Sequence, residues 1–473
     1  MKKIFVIMAA MLFAFAACET ENPQEEPQEV CGECGKEPCE CPEEKPEALV
    51  DKEYHVAQLI ISTEDVDGDG KPDWVPEEDK KRKIPCTITI DHPYDGWDLT
   101  EATGHVRGRG NSTWLWYDKK PYRFKLDEKV SVLGLAEEKD WVLLANYRDP
   151  SNLMNTFVFE LGQEMGLPHT NHSRYVEVTF NGKSLGLYLL TEQIEQGSNR
   201  VNVHGTDGYL ISLDLDDGPS LSPDAGDNFW SKVYGMPVCV KHPEDGMTDA
   251  KYNEIRDDLG EVESKIKNIR SNKNNPQVIQ KNYDELKEIF DVQSMIDYLI
   301  IQELVYNVEL AAPRSMYMHK DKGGKWYMGP LWDFDAGFDF DWGTMYTGHK
   351  YFGSYKKLVL GTDPVHHTNG NGGVPEFFTD LFRCEEFKVA YQERWAEISP
   401  KILTDVWTKV EKYAEYGKAA WDNNAEIWPI YLDDARPSKS TLLSWEEEID
   451  KLYVWLNDRI EYLDTVIPNY KDN

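Results

Sequence analysis

Apolar and polar side chains alternate along several early stretches of the chain, and a period of two marks a strand with one buried face. His55 to Ser62 and Ile84 to Ile90 carry that alternation and are predicted strands. The plainest case is Tyr175 to Phe180, which puts Val176, Val178 and Phe180 on one face, turns at Asn181-Gly182 and returns through Leu185, Leu187 and Leu189. Asn-Gly favours the left-handed backbone of a tight turn, so this spacing predicts a β-hairpin. A second hairpin is expected for Ser315 to His319 and Lys325 to Met328, around Asp321-Lys322-Gly323-Gly324.

Elsewhere the period lengthens to that of a helix. Asn152 to Met165, Asp249 to Arg270 and Asp291 to Tyr306 show it, the last with Val292, Met295, Ile296, Leu299, Ile300 and Leu304 along one apolar stripe. From Glu376 onward Trp, Tyr and Leu recur mainly at helical spacings. Strands first and helices later predict an α+β chain with mixed or antiparallel sheets and a mainly helical C-terminal part.

The N-terminus changes the picture of where the chain works. Lys2 and Lys3 precede an apolar run from Ile4 to Ala17 and then Cys18. That run is too short to span a membrane, and small residues before a cysteine resemble the cleavage site of a bacterial lipoprotein precursor. Residues 1–17 are therefore expected to be a signal peptide and Cys18 the lipidated first residue, anchoring the protein to the outer membrane of the cell envelope, on either its periplasmic or its surface side. Residues 18–50 are expected to be a disordered tether: after Cys18 they hold 11 glutamates, several prolines and no apolar period. Cys31, Cys34, Cys39 and Cys41 lie in it at spacings that suit either disulfides or a soft metal, whereas Cys86, Cys239 and Cys384 are far apart and expected to be buried. The folded part is expected at 51–473.

A formal net charge of −34 opposes anionic surfaces, so nucleic acid is excluded as an expected partner, and cations are favoured. One place for a cation is Asp65-Val66-Asp67-Gly68-Asp69-Gly70-Lys71-Pro72-Asp73, where Asp65, Asp67, Asp69 and Asp73 resemble the first half of a calcium loop. Pro76 stands where the closing bidentate acid belongs, and an Asp/Gly turn explains the same residues without an ion.

Four further stretches concentrate polar groups beside strand or helix ends. Arg107-Gly108-Arg109-Gly110-Asn111-Ser112 offers guanidinium groups and amides in a turn able to hold phosphate oxygens, and it leads to Lys119-Lys120-Pro121-Tyr122-Arg123-Phe124-Lys125. Asn146-Tyr147-Arg148-Asp149-Pro150-Ser151 precedes a helix containing Asn155, and Asp149 and Ser151 are expected to cap it. Glu192 closes the strong hairpin. Finally, Asn307-Val308-Glu309 ends the apolar helix, and Trp332-Asp333-Phe334-Asp335 follows the second hairpin. Two carboxylates one residue apart suit a divalent metal, although an extended backbone would point them to opposite faces.

In that order these motifs resemble the CotH family, the spore-coat-type kinase-like proteins, from about Ala57 to the C-terminus, where Trp455 to Ile460 also fits. The resemblance implies an atypical protein-kinase-like fold of two lobes, here about 51–215 and 245–473, binding ATP with Mg²⁺ or Mn²⁺ between them. It implies that Arg107 to Ser112 cover the phosphates, that Lys120 or Lys125 pairs with Glu192, and that Asp333, alone or with Asp335, binds the metal. Asn307 and Glu309 fall in the catalytic segment. Glu309 stands where the family usually has Asp, and Arg314 where it has Asn. Two functions follow as expectations: phosphoryl transfer to a protein or other surface acceptor, or a catalytically inactive kinase-like lipoprotein that binds protein or glycan. Trp326, Trp332 and Trp342 serve the second only if they are exposed rather than in the core.

Overall fold

The computed structural model describes residues 51–217, 219, 228–244, 247–339, 354–367, 370, 372–430 and 442–470. The signal peptide, Cys18, the tether cysteines and Trp342 lie outside them.

Seven strands form a closed barrel in the order β1-β2-β3-β4-β5-β7-β6. They are β1 (Ala57–Thr63), β2 (Ile84–Asp91), β3 (Leu99–Gly108), β4 (Tyr122–Val130), β5 (Glu138–Leu144), β6 (Ser173–Phe180) and β7 (Lys183–Glu192). Neighbours are antiparallel except β1 and β6, whose parallel pairing closes the ring. Leu59, Ile61, Ile88, Phe124, Trp141 and Val178 fill the interior, as the alternation predicts.

The predicted hairpin is β6 and β7, but its return strand changes phase. The register shifts between Val178 and Thr179, opposite Gly186, whose φ of +77° a larger side chain adopts only with strain. Leu185 therefore enters the barrel with Tyr188 and Leu190, while Leu187 and Leu189 turn outward into the helical core. This corrects the single leucine face read from sequence. The outward face is covered by the helix Lys418–Ile427, so β7 is buried on both sides from Leu185 to Glu192.

A second sheet of five strands has the order β12-β11-β8-β10-β9, from β8 (Tyr209–Leu213), β9 (Asn228–Trp230), β10 (Pro237–His242), β11 (Met316–Lys320) and β12 (Trp326–Met328). Its strands come from both sides of a long helical insertion. The short α1 (Ser112–Trp116) follows β3, and α2 (Met154–Glu164) lies between β5 and β6. The insertion holds α3 (Asp249–Ser271), α4 (Pro276–Ile289) and α5 (Val292–Leu304), and the later part holds α6 (Glu376–Thr379), α7 (Glu385–Lys401), α8 (Thr408–Tyr416), α9 (Lys418–Ile427) and α10 (Trp445–Val466). The α+β reading holds. α5 is buried nearly all round rather than along one stripe, because both the second sheet and the later helices pack on it. Cys86, Cys239 and Cys384 are buried, as expected. No helix among the described residues is long and apolar enough to cross a membrane.

Candidate functional site

A cleft of about 860 Å³ lies between the open end of the barrel and the second sheet. Its barrel wall begins at the end of β3. Gly108 admits the Trp114 ring against its backbone, where a Cβ would clash, and this folds the chain sharply into Gly110 and α1. Arg107, Arg109, Gly110, Asn111 and Ser112 line the cleft as a result, with Arg123 from β4 beside them. Gly108 itself is buried behind the turn. The Arg109 guanidinium crosses to the opposite wall and sits 5.1 Å from the centre of the Trp332 ring, a cation–π contact that bridges the cleft.

The floor comes from three segments. α5 ends at Leu304, and Asn307, buried, accepts the Glu309 amide at 3.2 Å to start a 3₁₀ turn that brings Glu309 into the cleft. Asn155 on α2 accepts the Phe334 amide at 2.9 Å, fixing the Asp-Phe-Asp turn from the far side of the core. Asp333 has a φ of +65°, so the segment is not extended, and Asp333 and Asp335 both line the cleft instead of pointing apart. The alternation that would separate them does not apply to a left-handed backbone. Arg148 reaches Asp335 at 3.9 Å.

These carboxyls crowd one another. Asp333 meets solvent through the cleft mouth, yet protein surrounds it on its other sides, and that enclosure together with Asp335 pushes its pKa up to about 7 against the pull of Arg109 and Arg148. Enclosure, then Asp333 and Asp335, drive Glu309 well above the usual carboxylate range. Asp333 and Asp335 are oxygen donors of the kind a hard divalent cation takes, although among the described residues only Asp65, Asp67 and Asp73 bring three carboxylate oxygens within 4.8 Å of one another. Arg314 does not stand against such an ion alone. It donates to Asp216 at 3.0 Å and to the Ala312 carbonyl, so the opposite wall compensates its charge.

The expected lysine–glutamate pair is not formed. Lys125 bonds Asp140 at 2.7 Å, and Glu192 meets Arg200 at 3.5 Å and His172 at 3.6 Å. Register explains it. Phe124 opposes Trp141 and Trp141 opposes Glu192, so Glu192 has the phase of the barrel interior while Lys125 has the opposite phase. Lys120 lies level with Tyr188, four residues or roughly 13 Å along the strands from Glu192, and its ammonium donates to the Trp114 carbonyl. Neither lysine lines the cleft, and Glu192 borders a separate cavity of about 170 Å³.

Sequence reasoning overlooked other cleft residues. Lys80 and Lys81 come from the segment between β1 and β2, Lys241 from β10, and Asp214, Asp216 and Asp217 from the turn after β8. The basic run Lys80 to Lys83 in so acidic a chain, and three aspartates within four residues, were the available signals. As expected, Asp149 caps α2, accepting the Met154 amide at 2.8 Å. Trp326 and Trp332 are buried, which removes them as glycan platforms. In the acidic loop, Asp65, Asp67 and Asp73 face one another without Asp69, and Asp65, Asp67 and Asp69 all accept amides of the loop itself, from Gly68 and Gly70, Asp69 and Lys71 respectively.

Residues 106–463 match a family model described as CotH kinase protein. No curated protein matches the chain.

Proposed function

The chain belongs to the CotH kinase protein family, and from that premise we propose that it is a phosphotransferase that moves the terminal phosphoryl group of ATP to a hydroxyl on a protein or other acceptor of the cell envelope. The observation that carries the proposal is the meeting in one cleft of the Arg107 to Ser112 turn with Glu309, Asp333 and Asp335. The barrel and the part beyond it then act as the two lobes of a kinase-like fold, with the nucleotide between them.

In this reading Arg107 and Arg109 hold phosphate oxygens, a role the Lys120 or Lys125 assignment gave to lysine. Asp333 and Asp335 hold Mg²⁺ or Mn²⁺, which when bound supplies charge neutralisation on the phosphates. Glu309 accepts the proton of the acceptor hydroxyl as its oxygen bonds to the phosphorus and the bond to ADP breaks. A carboxyl with a raised pKa is the stronger base for that task. Asn307 holds the Glu309 turn. The lipid on Cys18 and the acidic tether would keep the cleft near the outer membrane, on a face the proposal leaves open.

A second reading, a binding protein that transfers nothing, is favoured by one observation: Arg314 is held at the cleft wall by Asp216, where the family usually supplies Asn. Calorimetric titration of the chain carrying Cys18→Ala with ATP, with and without Mg²⁺ or Mn²⁺, and an assay for transfer to envelope proteins, separate the two. Metal-dependent binding with transfer is the expected result. Binding without transfer selects the second reading, and no binding rejects both.

A further inference from the structure

The segment between β1 and β2 leaves the barrel at Thr63, passes through the acidic loop and returns at Ile84, and on the way it crosses the glycine turn. It is firmly attached. Val75 is buried in the barrel core, Trp74 stacks on Phe180 at 4.6 Å, and the Asp73 carbonyl accepts the Thr63 hydroxyl at 2.5 Å. The Trp114 indole of α1 donates to the Glu77 carbonyl at 2.9 Å. Just beyond that contact the Lys80 ammonium donates to the Gly110 carbonyl and, at 2.9 Å, to the Asn111 side chain. Lys81 follows at the cleft edge, exposed.

Four cations thus share one wall, Lys80, Lys81, Arg107 and Arg109, beside Arg123, whose guanidinium is already paired with Asp140 at 2.6 Å. Burial lowers the Lys80 pKa, and Lys81 and Arg109 lower it further, so the group is self-repelling as it stands. Across the mouth, burial raises Asp217, but Lys241, Lys81 and Lys80 more than offset that and hold it below the usual range. The segment therefore behaves electrostatically as part of both rims. One arginine and one metal ion would serve a single phosphate group. A wall with this many converging cations in a chain of net charge −34 fits a ligand that carries several adjacent negative charges.

We infer that this segment is a phosphate strap, in which Lys80 is a positioning residue that locks the glycine turn and Lys81 contacts the outer phosphates, making the cleft selective for a polyphosphate chain over a monophosphate. The inference rests on the nucleotide reading above and names which part of the nucleotide is recognised.

The test is calorimetry on the chain carrying Cys18→Ala, with ATP, AMP and inorganic tripolyphosphate as probes in Mg²⁺. Lys81→Ala is expected to weaken ATP and tripolyphosphate by about tenfold or more and AMP by less than about twofold, one charge-assisted contact being lost. Lys81→Arg should restore most of the difference. Because Lys81 is exposed, its thermal midpoint should not move. Lys80→Met should weaken all three probes, with rescue by Lys80→Arg, since an arginine reaches the same two acceptors. Equal losses for ATP and AMP in Lys81→Ala, or no loss in either, overturn the strap. If the parent chain binds tripolyphosphate through Lys81 but not ATP, the strap stands and the nucleotide reading fails. If it binds none of the probes, both fail.

Discussion

Two enclosed charge clusters flank the end of α5, six residues apart in sequence, and they are built on opposite terms. At Glu303 every neighbour opposes the cost of burial. Burial raises its carboxyl pKa, and Arg459 and the amides of Leu360 and Val359 pull it back. Arg459, fully buried on α10, bonds Glu303 at 2.7 Å and donates to the carbonyls of Leu304 and Tyr355 at 3.1 and 2.7 Å. At Glu309 the nearest carboxylates add to the effect of enclosure, and the arginines only partly offset it. The first cluster is complete within the protein and ties the C-terminal helix to the segment that carries Glu309. The second is left in conflict within the protein, and groups left in conflict at the floor of a cleft are candidates for function rather than stability.

The sharpest break in that comparison is Arg459→Met, which leaves Glu303 buried without its counter-ion. A loss of about 3–5 kcal/mol in denaturant unfolding is expected, because the desolvation cost of the remaining charge is no longer opposed. Adding Glu303→Leu should recover part of it. A loss below about 1 kcal/mol would show that the first cluster is not the structural tie described here.

Asp333→Asn should do the reverse. Asp333 and Glu309 have pKa values raised in the folded chain, so the folded state holds protons that the unfolded state has released between about pH 4 and pH 7. The metal-free protein therefore loses stability as pH rises through that window, and the part due to Asp333 is fully present above about pH 7. Mg²⁺ should stabilise the parent by about 2.7 kcal/mol at pH 8 when its concentration is a hundredfold above the dissociation constant there, and by less at pH 6. In Asp333→Asn the Mg²⁺ effect should vanish while the metal-free protein at pH 8 is no less stable. Thermal unfolding at the two pH values reads both. An undiminished Mg²⁺ response in the variant removes Asp333 from the metal site.

How far these clusters were legible in the sequence differs in the same way. Val176, Val178 and Phe180 announced a barrel face because alternation is local, and the Asn181-Gly182 turn fixed where it reversed. Gly186 hid the phase change after it, since one inserted residue moves every later side chain to the other face without altering composition. Glu309, Asp333 and Asp335 were readable as chemistry, but their meeting depends on β8 and β11 pairing across the α3 to α5 insertion, a contact no local pattern encodes. Lys80 and Lys81 were overlooked because nothing local shows that Trp114 and Gly110 hold that segment at the cleft. Glu303 and Arg459 lie 156 residues apart, and only the packing of α10 makes them a pair.

The smallest effect is expected where sequence resemblance placed the most weight. Lys120 and Lys125 were candidates to hold the nucleotide phosphates because a lysine paired with a glutamate does so in kinases. Here the barrel register separates both from Glu192, and it is the arginine turn that lines the cleft. Lys120→Met removes a donor to the Trp114 carbonyl and a cation 5.7 Å from the Trp114 ring, contacts behind the turn rather than in the cleft. ATP affinity should change less than about twofold, whereas Arg109→Ala, which removes a charge that reaches both Asp333 and the Trp332 ring, should weaken it by about tenfold or more. Calorimetry on the two variants under one metal condition decides between them. If Lys120→Met costs more than Arg109→Ala, the glycine turn must close further when nucleotide binds, carrying Lys120 into the cleft, and the kinase-like lysine returns to the site through motion rather than register.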